Sequence, residues 1–119
     1  MKKIIFIFSI LFFVIGCWSD PAVESVKNGA LSSCPEKTVG QMAEGFMSSP
    51  SWTSLVADDG KTYVNLEGGI TFSEKPVSSL IQFLVSDDLE TFEFNALEFN
   101  GVPQNTIMAV GLLSKMCEE

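Results

Sequence analysis

The sequence predicts an α+β domain built from short N-terminal helices, a four-stranded antiparallel meander, and a C-terminal helix packed on one sheet face. Three observations predict it. Apolar residues recur at helical spacing before Pro50 and alternate after Ser51. Turn clusters rich in Asp, Asn, Gly and Pro punctuate the chain from Asp58 to Pro103 at hairpin distances. A final run, Gln104 to Met116, carries Ile107, Met108, Val110, Leu112 and Leu113. A helix so apolar on every side is expected to be buried. Helices and strands are segregated along the chain, which favours an antiparallel sheet over a parallel α/β fold.

Each element has a local reason. Asp20-Pro21 reads as N-cap and first helical residue, Val23 and Val26 share a face, and Asn28-Gly29 ends the turn. Ala30 to Lys37 reads as a loop broken by Ser32-Ser33-Cys34-Pro35. Thr38 and Gln41 have capping-box spacing, and Val39, Met42, Ala43 and Phe46 follow at i, i+3, i+4 and i+7. This helix is expected to run to about Met47 and stop at Ser48-Ser49-Pro50, with Met42 and Phe46 in the core.

Trp52 to Ala57 is rich in strand formers, and Asp58-Asp59-Gly60-Lys61 is a turn. Thr62 to Glu67 then alternates, with Val64 and Leu66 on one face and Tyr63, Asn65 and Glu67 on the other. Gly68-Gly69 suggests a bend or bulge, with Ile70 to Phe72 carrying the strand onward. After Ser73-Glu74-Lys75-Pro76, Val77 to Val85 reads as a central strand, apolar on both faces near Leu80-Ile81. Ser86-Asp87-Asp88 turns the chain into Glu90 to Phe99, whose apolar parity shifts at Asn95 as a bulge would shift it. Asn100-Gly101 is a turn, and Pro103 is expected to open the last helix.

The first 16 residues read as a signal peptide. Lys2 and Lys3 precede an apolar run, Ile4 to Ile15, in which only Ser9 is polar. Twelve residues are too few to span a bilayer, which takes about 20, but suit a signal-peptide core. The run ends in Val14-Ile15-Gly16-Cys17, which resembles the lipobox of bacterial lipoproteins. The resemblance implies cleavage before Cys17, a diacylglycerol on its sulfur, and a short tether over residues 17–20. Residues 21–119 would then form one domain attached to a membrane through lipid. An ordinary signal peptide with an incidental Cys17 is the competing reading. Trp18 follows the cysteine and the first Asp comes only at Asp20, which leans the expected location to the outer membrane, facing the periplasm.

The chain has seven lysines, no Arg and no His against 15 carboxylates. Without Lys2 and Lys3 the remainder holds five lysines against those 15, a net charge of −10. Nucleic acid is excluded as a partner, because phosphate contacts need clustered basic residues. A basic protein or a divalent cation suits this charge. With Cys17 lipidated, Cys34 and Cys117 remain, and an oxidising compartment predicts that they pair. A free or metal-binding pair is the alternative, though two cysteines without His make a poor zinc site.

Val26-Lys27-Asn28-Gly29, Thr38-Val39-Gly40, Trp52, Ile81-Gln82-Phe83 and Asn100-Gly101, in this order and spacing, resemble small exported proteins and lipoproteins of Gram-negative bacteria and their mobile elements. The resemblance spans about Val23 to Leu113. Met42 departs from the small residue often found there. The resemblance implies an envelope location and an α+β domain, and carries over no catalytic residues.

No enzymatic activity and no cofactor is expected. Without His, a Ser-His-Asp or Cys-His arrangement is impossible, and no phosphate-binding glycine motif is present. Asp58, Asp59, Asp87 and Asp88 are weak candidates for a cation site or a carboxylate-based hydrolase; the plainer reading is solvated turn tips. Tyr63, Asn65 and Glu67 are the candidate binding face. The expected function is therefore a lipid-anchored interaction module of inhibitor, assembly or exclusion type acting on a basic envelope partner. A small Ca-dependent or carboxylate hydrolase and a purely structural lipoprotein are the alternatives.

Overall fold

A computed structural model describes residues 20–119; the expected signal peptide and Cys17 lie outside the described residues. The elements are α1 (Pro21–Lys27), α2 (Val39–Phe46), β1 (Ser48–Val56), β2 (Thr62–Phe72), β3 (Lys75–Val85), β4 (Phe92–Phe99), β5 (Val102–Pro103) and α3 (Thr106–Glu118). The strands form one antiparallel sheet in the order β1-β2-β3-β4-β5. The fold is thus α+β with a C-terminal helix, and its sheet has five strands rather than four.

The core lies on one face of that sheet. Alternate residues Val64, Leu66 and Ile70 of β2, Ile81, Phe83 and Val85 of β3, and Leu97 and Phe99 of β4 are buried there. They join Val23 and Val26 of α1, Met42 and Ala43 of α2, and Ala109, Leu112 and Met116 of α3 in one cluster. All three helices therefore cover the same side, as a sheet with one apolar face requires.

The caps form as their residue types dictate. The Asp20 carboxylate accepts from the backbone of Ala22 and Val23, and Pro21 opens α1, where its missing N–H costs nothing. Thr38 and Gln41 make the reciprocal capping box. The Ser25 hydroxyl donates to the Leu89 carbonyl at 2.6 Å, and the Val39 amide donates to the Gly29 carbonyl at 2.8 Å. These bonds tie α1 to the β3–β4 turn and to the start of α2.

Three boundaries differ from expectation. First, β1 begins at Ser48, four residues before Trp52, and runs through Pro50. It is an edge strand whose register with β2 slips between Ser48 and Ser51, and Ser49 takes a left-handed φ of 50°. A bulge on a free edge is where a strand tolerates proline. Second, Gly68-Gly69 is not a bulge, because the β2–β3 register runs unbroken across it. A Cβ on Gly68 would lie 2.9 Å from the Met47 Cβ, so the glycine makes room for Met47. Third, Pro103 ends a hairpin instead of opening a helix. Asn100 and Gly101 both have positive φ, 52° and 83°, the geometry of a two-residue hairpin turn. Val102 and Pro103 pair back on Phe99 and Glu98. The cap of α3 is Asn105, whose side-chain oxygen accepts from the Met108 amide.

The parity shift at Asn95 is a register shift in β3–β4, where Ala96 faces Gln82 and Phe94 faces Phe83. The expectation that α3 is buried all round fails. Ile107 is 83% exposed and Val110 58% exposed, and only Ala109, Leu112 and Met116 are buried. Three helices share one face of a five-stranded sheet, and α3 at its margin has cover on one side only.

Candidate functional site

With the three described helices on one side, no described element covers the other face of the sheet, and its residues follow from the strand registers. Leu55, Tyr63, Leu84 and Glu93 form one cross-strand row. Thr53, Asn65, Gln82 and Ala96 form the next, and Ser51, Glu67, Leu80 and Glu98 the third. Tyr63, Asn65 and Glu67 thus share the open face, opposite buried Val64 and Leu66.

Three amides are locked across the middle of this face. The Gln82 amide donates to Asn65 Oδ1 at 3.0 Å, and the Asn95 amide donates to Gln82 Oε1 at 2.7 Å. Asn95 reaches Gln82 because it is the extra residue at the β4 bulge. A ladder of this kind holds side chains in fixed rotamers on a surface where they would otherwise be mobile, so less ordering entropy is lost when a partner binds. Above the ladder lies the apolar row of Leu55, Tyr63 and Leu84. Below it lie Glu67 and Glu98, and Glu93 closes the first row. No lysine falls in these three rows. Beside Glu67, a shallow depression of about 500 Å³ is lined by Ser51, Gly69 and Ser78, next to the β1 bulge. Gln82, Asn95, Leu84 and Glu98 are not among the binding-face residues expected from sequence. Alternation places a residue on a face, but the register is needed to say which strands bring their residues together.

Three other aromatic residues of the domain turn inward. Phe99 is buried, and Phe92 packs edge-on against Phe83 with centroids 5.8 Å apart. Trp52 joins the core with the Lys27 ammonium 6.0 Å from its ring centroid.

The aspartate pairs occupy two turns at the same end of the meander, β1–β2 and β3–β4. Each pair has a local role. Asp59 accepts from the Lys61 amide at 2.9 Å and closes its own turn. Asp88 accepts from the Ser86 hydroxyl at 2.6 Å and the Glu90 amide at 3.0 Å. These bonds, the hydroxyl's first, hold the Asp88 carboxyl below its ordinary value. Among the described residues, one group of three potential metal ligands converges: Cys34, Glu36 and Cys117. The four aspartates form no such group.

Cys34 and Cys117 are joined by a disulfide, their Cα atoms 6.0 Å apart and 83 positions apart in sequence. Their sulfurs are bonded to each other, so neither is a thiolate ligand, and Glu36 is left as a lone carboxylate beside them. The bond staples the end of α3 to the loop between α1 and α2, with Cys34 fully buried.

No protein family, curated protein or solved structure matches the chain.

Proposed function

We propose that this chain is a lipid-anchored cell-envelope protein whose domain acts as a binding module, holding a basic envelope protein on its open sheet face. One observation carries the reading: a sheet face that no described element covers carries three carboxylates and no lysine in its central rows, and is held by the Asn65–Gln82–Asn95 ladder. Rigid aromatic and apolar groups rimmed by charge are the ordinary make-up of a protein interface. Acidic charge on such a face speeds encounter with a basic partner and selects against acidic ones.

The anchor supports the same reading. From Cys17 to Asp20 is three residues, which reach at most about 11 Å. Asp20 bonds the Ser54 hydroxyl on edge strand β1. A lipid on Cys17 therefore keeps β1, and the sheet face beginning there, close to the bilayer surface.

The test uses the full chain in a Gram-negative host, with a photocrosslinking residue in place of Tyr63. Intact mass of wild type and Cys17→Ala reports the lipid. A defined crosslink to a basic envelope protein is expected, absent from the Glu67→Lys/Glu98→Lys variant. The crosslink should weaken between about 0.1 M and 1 M salt, where the screening length falls from about 10 Å to about 3 Å. No crosslink above background, or one indifferent to the charge reversal, would overturn the interface. An unlipidated product would overturn the anchor alone.

A further inference from the structure

The sheet's covered side has a second feature, which does not depend on the anchor or on the open face. Between α3 and the far end of the β2–β3 hairpin lies an apolar slot of about 460 Å³. This is within the size range of small-molecule sites, which run from about 300 to 1,000 Å³. Its floor is Ile70, Phe72 and Phe99, the two rings 5.1 Å apart between centroids. Its walls are Phe46 from the end of α2 and Met108 and Leu112 from α3. Phe72 is 38% exposed and Ile107, at the rim, 83% exposed, so the slot is open to a ligand from solvent.

Gly111 lines the same slot from the middle of α3. Glycine weakens a helix interior relative to alanine. A Cβ on Gly111 would meet nothing within 4 Å among the described residues, and its φ is not positive. What the missing side chain does is leave the slot wide.

The polar groups at the slot are Thr71, Asn105 and Lys115. The Asn105 oxygen is committed to the Met108 amide at 2.8 Å, leaving Lys115 as the one charged residue lining the slot among the described residues. Glu118, one turn further along α3, and Glu74, at the hairpin tip, do not line the slot. In a chain of net charge −8 this is an apolar groove with a single cation at its edge. A single alkyl chain brings no backbone N–H or C=O groups into this apolar slot, and a carboxylate at its end would meet Lys115. A neutral hydrocarbon would leave Lys115 without a counterion.

We infer that this slot binds a single-chain fatty acid, its alkyl chain between α3 and Phe72–Phe99 and its carboxylate at Lys115. The exposed apolar residues of α3 then belong to a lipid-binding edge.

The test is photolabelling of the full chain in isolated membranes with a palmitate analogue bearing a diazirine near the chain end, mapped by peptide mass spectrometry. Label is expected on α3 around Met108–Leu112 and on β2 at Ile70–Phe72, displaced by unlabelled palmitate. It should be lost in Gly111→Phe and Gly111→Leu, and retained in Gly111→Ala. An unchanged urea midpoint and an intact disulfide show that the bulky variants fold, and the two sizes guard against one failing to do so. The corresponding long-chain alcohol, and Lys115→Gln with palmitate, should label several-fold less. Label elsewhere, label indifferent to Gly111→Phe, equal labelling by the alcohol, or crosslinks from this slot to a second copy of the chain would each overturn the inference.

Discussion

Reduction of the Cys34–Cys117 bond should be the most damaging mild perturbation of this domain. The bond closes a loop of 83 positions. In the chain-entropy account, opening such a loop releases roughly 4.5 kcal/mol of constraint in the unfolded chain; native disulfides of small exported domains contribute about 2–5 kcal/mol in practice. Cys34 is 1% exposed within the apolar core, so two thiols replace the bond without burying a new charge. The effect should therefore come mainly from the unfolded side of the equilibrium. A domain of this size has a total stability of about 5–15 kcal/mol, and each kcal/mol moves Tm by about 4–8 °C. The Cys34→Ala/Cys117→Ala variant, or wild type under reductant, should melt at least about 10 °C lower. Its urea m-value should rise, because an unlinked chain exposes more surface on unfolding. Thermal and urea melts followed by tryptophan fluorescence read both quantities. A Tm drop under about 5 °C with an unchanged m-value would refute the reasoning. It would mean that the unlinked chain stays as compact as the linked one.

Two further outcomes are expected. Asp20 is held below its ordinary pKa chiefly by the Ser54 hydroxyl, against the opposing effect of burial, with the Val23 and Ala22 amides each adding less. A depressed carboxylate contributes stability that is complete above its unfolded value, about 3.9, and disappears as pH falls through the lower folded value. Asp20→Asn keeps the cap but cannot titrate. Its urea midpoint should lie below wild type near neutrality and fall less steeply below about pH 4, so that the two curves converge; parallel curves would show that the clasp is energetically silent. Ser79 is fully buried on β3, and its hydroxyl has no hydrogen-bond partner among the described residues. Ser79→Ala removes an unpaired buried group that costs about 1–3 kcal/mol, so the variant should be more stable than wild type by a denaturant melt. A destabilised Ser79→Ala would mean that the lost oxygen volume outweighs the relieved desolvation.

The parts of this fold legible in the sequence are those specified by neighbours in the chain. Asp20-Pro21 and Thr38…Gln41 spell out helix starts in four residues or fewer, and both caps form as written. Alternation over Tyr63–Glu67 was enough to divide β2 into a buried and an open face. The parity break at Asn95 was enough to locate the bulge. What escaped depends on residues far apart in the chain. Pro50 reads as a breaker unless one knows that β1 is an edge strand. Gly68 reads as a bend unless one sees Met47 against it. Pro103 reads as a helix start because proline favours that position. Asn100-Gly101, correctly a turn, decides instead for a fifth strand. The open face was half legible: Tyr63, Asn65 and Glu67 share a strand, whereas Gln82 and Asn95 meet them only through the registers. The slot beside Phe72 was not legible at all, because an all-round apolar helix pattern looks the same whether its last face is covered or open.

The disulfide also decides how the molecule would carry a mechanical load. Tension applied between the two ends enters at Asp20 and travels along α1 to Cys34. There it crosses through the sulfurs to Cys117 and leaves by Glu118 and Glu119. The whole sheet, α2 and nearly all of α3 lie in the bypassed segment, so no tension runs along their backbone. Only α1 is in series with the pull, clipped down by the Asp20–Ser54 bond, the Ser25–Leu89 bond and buried Val26. A tug at the N-terminus would therefore peel off seven helical residues and stop at a covalent barrier, leaving both the open sheet face and the slot intact.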